Sequence, residues 1–274
     1  CIVSLANDTI SHVFLSGEAG YHTFRIPAIV AAPDKTLLAF CEARKESAGD
    51  FGNIKIVLRR SMDNGKTWSA IQVVADAWNM QAGNPAPVVD MLDPQYPDGR
   101  IFLFYNTGNN HEYEVRRGNG LRLVWYISST DNGRNWSAPV NITTQVHKPN
   151  QPRSDSNYQF AEDWRSYANT PGHAIQLVQE PYRGRIYIAA NHSSGPPQNK
   201  FEDYAAHAFY TDDHGRTFQL AASVNKKGSN ESTAAELSKG RLMLNSRNQQ
   251  GDIRTRIVSL SSNGGQTWDT SYYE

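Results

Sequence analysis

One eight-residue pattern, Ser-x-Asp-x-Gly-x-Thr-Trp, recurs four times along the chain, and repetition of this kind restricts the fold to arrays of similar units. The copies run Ser61–Trp68, Ser129–Trp136, Thr211–Phe218 and Ser261–Trp268, and their starts lie 68, 82 and 50 residues apart. Alternating apolar runs such as Ile54–Leu58, Leu121–Ile127 and His207–Tyr210 precede the boxes and read as strands entering turns. Inside a box the Asp accepts N–H bonds from its own turn, the Gly supplies a positive φ and the aromatic residue plugs the turn from below. The box is therefore a hairpin clasp, and Asp63, Asp131 and Asp213 are assigned no catalysis. One box per four-stranded blade suits this spacing, with inserted loops or a box-free blade in the longer gaps, which makes the chain an all-β propeller. The polar stretch 143–169, with Pro149 and Pro152, reads as an extended connection between blades, placed to overhang a binding site.

Composition agrees with many short strands. Aromatic residues make up 11%, alongside 20 Gly and 13 Pro, and residues 1–274 are read as one domain. Lys plus Arg equals Asp plus Glu at 27 each, so no global field draws nucleic acid or an anionic membrane, and anion recognition has to be local. No apolar run approaches the roughly 18 residues of a membrane span. Two cysteines make neither a disulfide framework nor a metal site, leaving Cys41 as a core residue. Cys1 stands at a processed or trimmed terminus, with lipidation as one explanation. Asn-x-Ser/Thr sequons occur at Asn7, Asn135, Asn141, Asn191 and Asn230. Two of them would put a glycan in a box or beside Glu231, which points to a bacterial source or to chance matches.

A second set of motifs is sharper. Tyr21-His-Thr-Phe24-Arg25-Ile26-Pro27 opens onto the apolar strand Ala28–Val30. In order follow Phe40-Cys-Glu42-Ala-Arg44, Gly49-Asp50, Gly83-Asn84-Pro85-Ala-Pro-Val-Val-Asp90, Pro171-Gly-His173, Asn230-Glu231-Ser232 and Asn245-Ser-Arg247-Asn248. A Phe-Arg-Ile-Pro motif followed by Asp boxes resembles the catalytic domain of the bacterial-type sialidases, and the likeness extends along nearly the whole chain.

That resemblance implies a six-bladed propeller that removes terminal sialic acid from glycans as an exo-α-sialidase, without a cofactor or metal. It implies that Arg25 and Arg247 grip the substrate carboxylate, which planar guanidinium forks bind bidentately. Asp50 becomes the general acid/base that protonates the departing oxygen, and Arg44 contacts ring substituents. Glu231, preferred over Glu236, becomes the base that activates a tyrosine nucleophile, because a neutral phenol approaches the anionic substrate without a carboxylate's repulsion. Asp90 is taken as a contact near the sugar's O4 and N-acetyl side, the latter needing a small apolar pocket. Arg25, Arg44, Asp50, Glu231 and Arg247 are expected to converge at one end of the propeller axis, with the boxes at the periphery.

The third arginine and the nucleophilic tyrosine of the family pattern are expected beyond residue 274. Arg254 and Arg256 come too early for the former, and Tyr272 and Tyr273 too soon after the last box for the latter. The last blade is then incomplete or absent, and residues 1–274 alone are expected neither to turn over sialosides nor to stay well soluble. Partners are sialylated glycans, the protein is a monomer, and secretion, the periplasm or the cell surface of a bacterium is the expected location. A trans-sialidase and a non-catalytic glycan-binding propeller are the alternatives. The retention of both Asp50 and Glu231 opposes the latter.

Overall fold

The structure is a computed structural model that describes residues 10–150, 156, 160–251 and 254–274, so Cys1 and the Asn7 sequon lie outside the described residues. It is the all-β propeller expected, and the described residues build four blades, each an antiparallel meander of four strands. The first blade holds β1 (Thr23–Ala31), β2 (Leu37–Arg44), β3 (Ile54–Ser61) and β4 (Gln72–Ala75). In the second, β5 (Gln81–Asp90), β6 (Arg100–Gly108), β7 (Arg122–Ser129) and β8 (Val140–Asn141) repeat the order. The third opens with an interrupted strand, β9 (Trp164–Asn169) and β10 (Ile175–Gln176), both paired to β11 (Ile186–Ser194), and closes with β12 (Tyr204–Thr211) and β13 (Gln219–Leu220). The fourth comprises β14 (Ser229–Glu236), β15 (Leu242–Asn248), β16 (Arg256–Ser261) and β17 (Thr270–Tyr273).

Every box joins the third strand of its blade to the fourth, so the long gaps contain inserted loops and no box-free blade. In the first box Ser61 Oγ donates to Asp63 and accepts the Gly65 N–H at 2.8 Å, while Asp63 accepts Thr67 N–H at 2.9 Å and Thr67 Oγ1 at 2.6 Å. The Thr67 and Ser61 bonds favour the ionised carboxylate and lower its pKa to about 2. The same lattice returns in the other boxes, with Asn263 in the Asp role in the last. Two successive residues take a positive φ in each, for example His214 (59°) and Gly215 (83°).

A box also acts outside its own hairpin, which the sequence reading did not anticipate. Gly133 lies on Leu38 and Leu58 of the first blade, Gly215 on Phe102 of the second and Gly265 on Tyr187 of the third. Trp136 meets Phe40 edge-on, Phe218 packs among Phe104 and Tyr126, and Trp268 donates its indole N–H to Ala222 O. The second, third and fourth boxes thus clamp their blades to the preceding ones. The three large apolar clusters are accordingly shared between consecutive blades. Gly265→Ala would place a Cβ 2.4 Å from the Tyr187 ring at φ 82°, whereas Gly17, at φ 87°, has open space around it. We expect Gly265→Ala to cost about 2–3 kcal/mol and Gly17→Ala about 1 kcal/mol, since both carry left-handed strain but only the first adds a clash. Equal midpoint shifts for the two variants in urea would refute the clamp.

Both ends of the 143–169 stretch form regular elements, and residues 151–155 and 157–159 within it lie outside the described residues. Thr143–Val146 forms a short helix and Trp164–Asn169 is the inner strand β9. Cys41 is buried and free, as expected. Beneath β9 lies a cluster in which Trp164 stacks on His192, and Tyr167 lies against His147 and His207. Burial holds His147 and His207 down to about 3, from the ordinary 6.5. Both imidazoles are neutral in the fold and take up a proton on unfolding, so their contribution to stability is present above pH 6.5 and is lost as the pH falls towards 3. For the pair, the expected loss between pH 7 and 5.5 is roughly 2.5 kcal/mol, read from denaturation midpoints, and His147→Phe should flatten the slope.

Candidate active site

The inner strands carry a repeated irregularity at one end. Register shifts interrupt β1 between Arg25 and Ala28, β5 between Gly83 and Ala86, and β14 between Ser229 and Ser232. Ile26, Asn84 and Thr170, each followed by Pro, hold φ values of 55°, 56° and 29°. A positive φ at β-branched Ile and Thr is strained, and bulges of this kind re-aim side chains next to sites. Here they turn Arg25, Ile26, Asn84, Asn230 and Glu231 into one cavity of about 280 Å³.

Arg25, Arg44, Asp50, Glu231 and Arg247 all line that cavity, brought together from the first and fourth blades. Asp50 projects from the β2–β3 loop with its side chain 70% exposed, and its Oδ1 accepts Arg25 Nη1 at 3.0 Å and Arg44 Nη1 at 2.7 Å. Arg44 is fixed from behind. Its Nε and Nη2 donate to Glu42 Oε2 at 3.1 and 2.5 Å, and Nη1 also reaches Ala48 O and Gly49 O. Glu42 accepts the Asn84 N–H through its other oxygen at 2.9 Å. Burial pushes the Glu42 carboxyl up, against the opposing pull of Arg44 and the Asn84 N–H. Across the cavity Arg247 Nη1 lies 3.0 Å from Glu231 Oε2. These pairs keep each guanidinium extended and each carboxylate oriented before any ligand arrives.

Asp90 is not among these residues. It ends β5, six residues and about 20 Å along the strand from Asn84, and is fully buried. Its oxygens accept His214 Nδ1 at 2.8 Å, Gln176 Nε2 at 2.5 Å and Leu92 N–H at 3.0 Å, so it latches the third box onto the second blade. Asn84, within the same motif, is the residue that reaches the cavity. Glu236 shares β14 with Glu231 but lies at the far end, accepting the N–H groups of Val178 and Gln179.

Sequence reasoning missed Glu42, Gln81, Glu112, Arg122, Tyr167 and Gln249, all in the cavity wall. Glu42 and Arg44 alternate on one strand, a spacing that puts both on one face and could have flagged the pair. Asn191 and Asn230 line the cavity, Asn135 donates to Asp131 and Asn141 accepts the Thr143 N–H, so four of the sequons have structural partners or places within the fold.

Comparisons with known proteins bear on the family and the fold. The family model of the BNR repeat-like domain matches residues 35–273. The sialidase of Micromonospora viridifaciens is 31% identical over 275 residues, covering 93% of this chain and 37% of that protein. Mus musculus sialidase-2 is 30% identical over 90% of this chain and 63% of its own length. The solved Hadza microbial sialidase Hz136 superposes with a TM-score of 0.74 at 24% identity, over 92% of this chain and 47% of the other. The chain thus spans about one to two thirds of these relatives' lengths. No helix among the described residues is long and apolar enough to cross a membrane. With four blades, four boxes and a family match over most of its length, the chain belongs to the BNR repeat-like domain family and has the fold of the sialidases.

Proposed function

We propose that this chain supplies most of the active site of an exo-α-sialidase, a retaining glycoside hydrolase acting on sialylated glycans. The observation that supports it is the meeting of Arg25 and Arg247, from blades distant in sequence, with Asp50 and Glu231 around one cavity. Two guanidinium groups of this kind suit a carboxylate carried on the anomeric carbon of a sugar. Asp50 then gives its proton to the departing oxygen, and Arg25 and Arg44 hold it in place until the aglycone arrives. Glu231, set by Arg247, takes the proton of the tyrosine nucleophile that the resemblance implies. A carboxylate pair in direct displacement is disfavoured by the substrate's own charge.

The test is a fluorogenic sialoside assay on the full-length protein, with the product anomer followed by NMR. Turnover with release of the α anomer is expected, and a first-formed β anomer or no turnover would overturn the reading. Arg247→Leu should raise KM at least about tenfold for the sialoside, yet leave binding of its uncharged C1 alcohol analogue nearly unchanged, because only the carboxylate needs the fork. Parallel losses on both ligands would remove Arg247 from carboxylate recognition.

A further inference from the structure

The bulge that carries Glu231 is closed by side-chain hydroxyls. Ser229 pairs with Asn248 and Ser232 with Ser246, so β14 takes three steps where β15 takes two, and Asn230 and Glu231 bulge between them. A bulge leaves main-chain groups outside the ladder, and a buried carbonyl needs a donor from elsewhere. Two side chains provide one. Ser232 Oγ donates to Asn230 O at 2.6 Å. Thr170 Oγ1 donates to Ser232 O at 3.0 Å, sharing its proton with Pro171 O at 2.5 Å. Ser232 Oγ also lies 2.8 Å from Ser246 Oγ on the facing strand. Because its own proton is used on the carbonyl, the Ser246 hydroxyl turns towards it.

Thr170, Ser232 and Ser246 are each no more than 1% exposed, and none of them lines the cavity, whereas the bulged Asn230 and Glu231 both do. Glu231 has one side-chain partner among the described residues, Arg247 Nη1 at 3.0 Å, and both side chains of that pair are partly open to water. An ion pair so exposed holds a carboxylate only weakly. The direction in which Glu231 points is therefore set by its main chain, and the main chain by the three hydroxyls. Thr170 brings in the third blade. It stands at the break between β9 and β10 at φ 29°, with its N–H donated to Ala189 O at 2.8 Å. Strain at a β-branched residue persists where its surroundings over-determine it, and here the bond to Ser232 O is part of what holds it.

We propose that Thr170, Ser232 and Ser246 are positioning residues that hold Glu231 in the direction from which it takes the proton of the nucleophile. The role rests on the sialidase reading, and it is indirect: the hydroxyls touch neither substrate nor reacting atoms. Without them the bulge relaxes towards regular pairing, and a shift of one residue turns a side chain to the opposite face of the strand. A base has to stand within hydrogen-bond reach of the proton it removes, so a displaced Glu231 costs rate, while the arginines go on holding the substrate.

In the full-length protein, Ser232→Ala and Thr170→Val should each lower kcat on an aryl sialoside by about 10–100-fold and change KM by less than about twofold. Ser232→Thr and Thr170→Ser keep the hydroxyl and should recover most of the rate. Placed in a Glu231→Gln background, neither Ser232→Ala nor Thr170→Val should cost further activity, because a residue that acts through Glu231 has nothing left to position. Crystal structures of the two variants supply a readout that needs no turnover: the Glu231 carboxylate should have left its 3.0 Å contact with Arg247 Nη1. Thr170→Val is isosteric with the original side chain and decides the matter if Ser232→Ala fails to fold. Wild-type kcat in the folded variants, a loss that adds in full to that of Glu231→Gln, or an unmoved Glu231 in the crystals overturns the proposal. A wild-type protein without turnover defeats the sialidase reading, and the crystal structures then still decide whether the hydroxyls position Glu231.

Discussion

Asp50→Ala should lower kcat on a natural sialyl-oligosaccharide by about 10²–10⁴-fold and on an activated aryl sialoside far less. The difference arises because an alcohol leaves poorly without a proton, whereas an activated phenolate departs unaided. Asp50 is suited to deliver that proton: its carboxylate stands open to the cavity on a Gly-bounded loop, and its position is set by Arg25 and Arg44 from two strands. The variant leaves both arginines in place, so KM should move little. Measuring both substrates at the same pH separates a lost acid from a damaged site, and equal losses on the two would exclude Asp50 from that role.

The largest expected effect on stability is at Glu42. Its side chain is 1% exposed and that of Arg44 3%, so Glu42→Ala strands a buried guanidinium and also leaves the Asn84 N–H unpaired at a strained position. Removing one partner of a buried ion pair costs about 3–5 kcal/mol. The lower end is expected here, because Arg44 Nη1 retains Ala48 O, Gly49 O and Asp50. The double variant Glu42→Ala/Arg44→Met should recover much of the loss in urea denaturation, since it removes the stranded charge. A double variant less stable than the single would mean that the pair stabilises through packing and not through charge compensation. Activity should fall further in the double variant, where Asp50 loses the bond from Arg44, than in the single, where that bond is retained.

How much of this was legible beforehand varies with how local the cause is. The boxes were legible because each is completed within eight residues: the Asp63 carboxylate, the Ser61 hydroxyl and two residues of positive φ satisfy one another with no outside partner. The run Ile54–Leu58 was legible from alternation for the same reason, and the strand extends it to Ser61. The candidate residues Arg25, Arg44, Asp50, Glu231 and Arg247 came from a family resemblance, and they are found around one cavity. Asp90 was misplaced because a motif names a stretch of strand and not the end of it. One bulge decides whether Asn84 or a later residue turns inward, and the remaining length carries Asp90 to the opposite edge of the sheet.

The sequence by itself therefore determined the repeating unit and the all-β class, since these depend on hydrogen bonds closed within a turn and on period-two alternation, while the charged candidate residues came from the resemblance. Only the tertiary structure decided that the second, third and fourth boxes clasp the preceding blades, that Glu42 stands behind Arg44, and that Arg122 is buried in the cavity with no carboxylate partner among the described residues. Those relations join residues from 2 to more than 100 positions apart, and their energies come from burial and from the exclusion of water between blades. Neither quantity exists until the blades are packed.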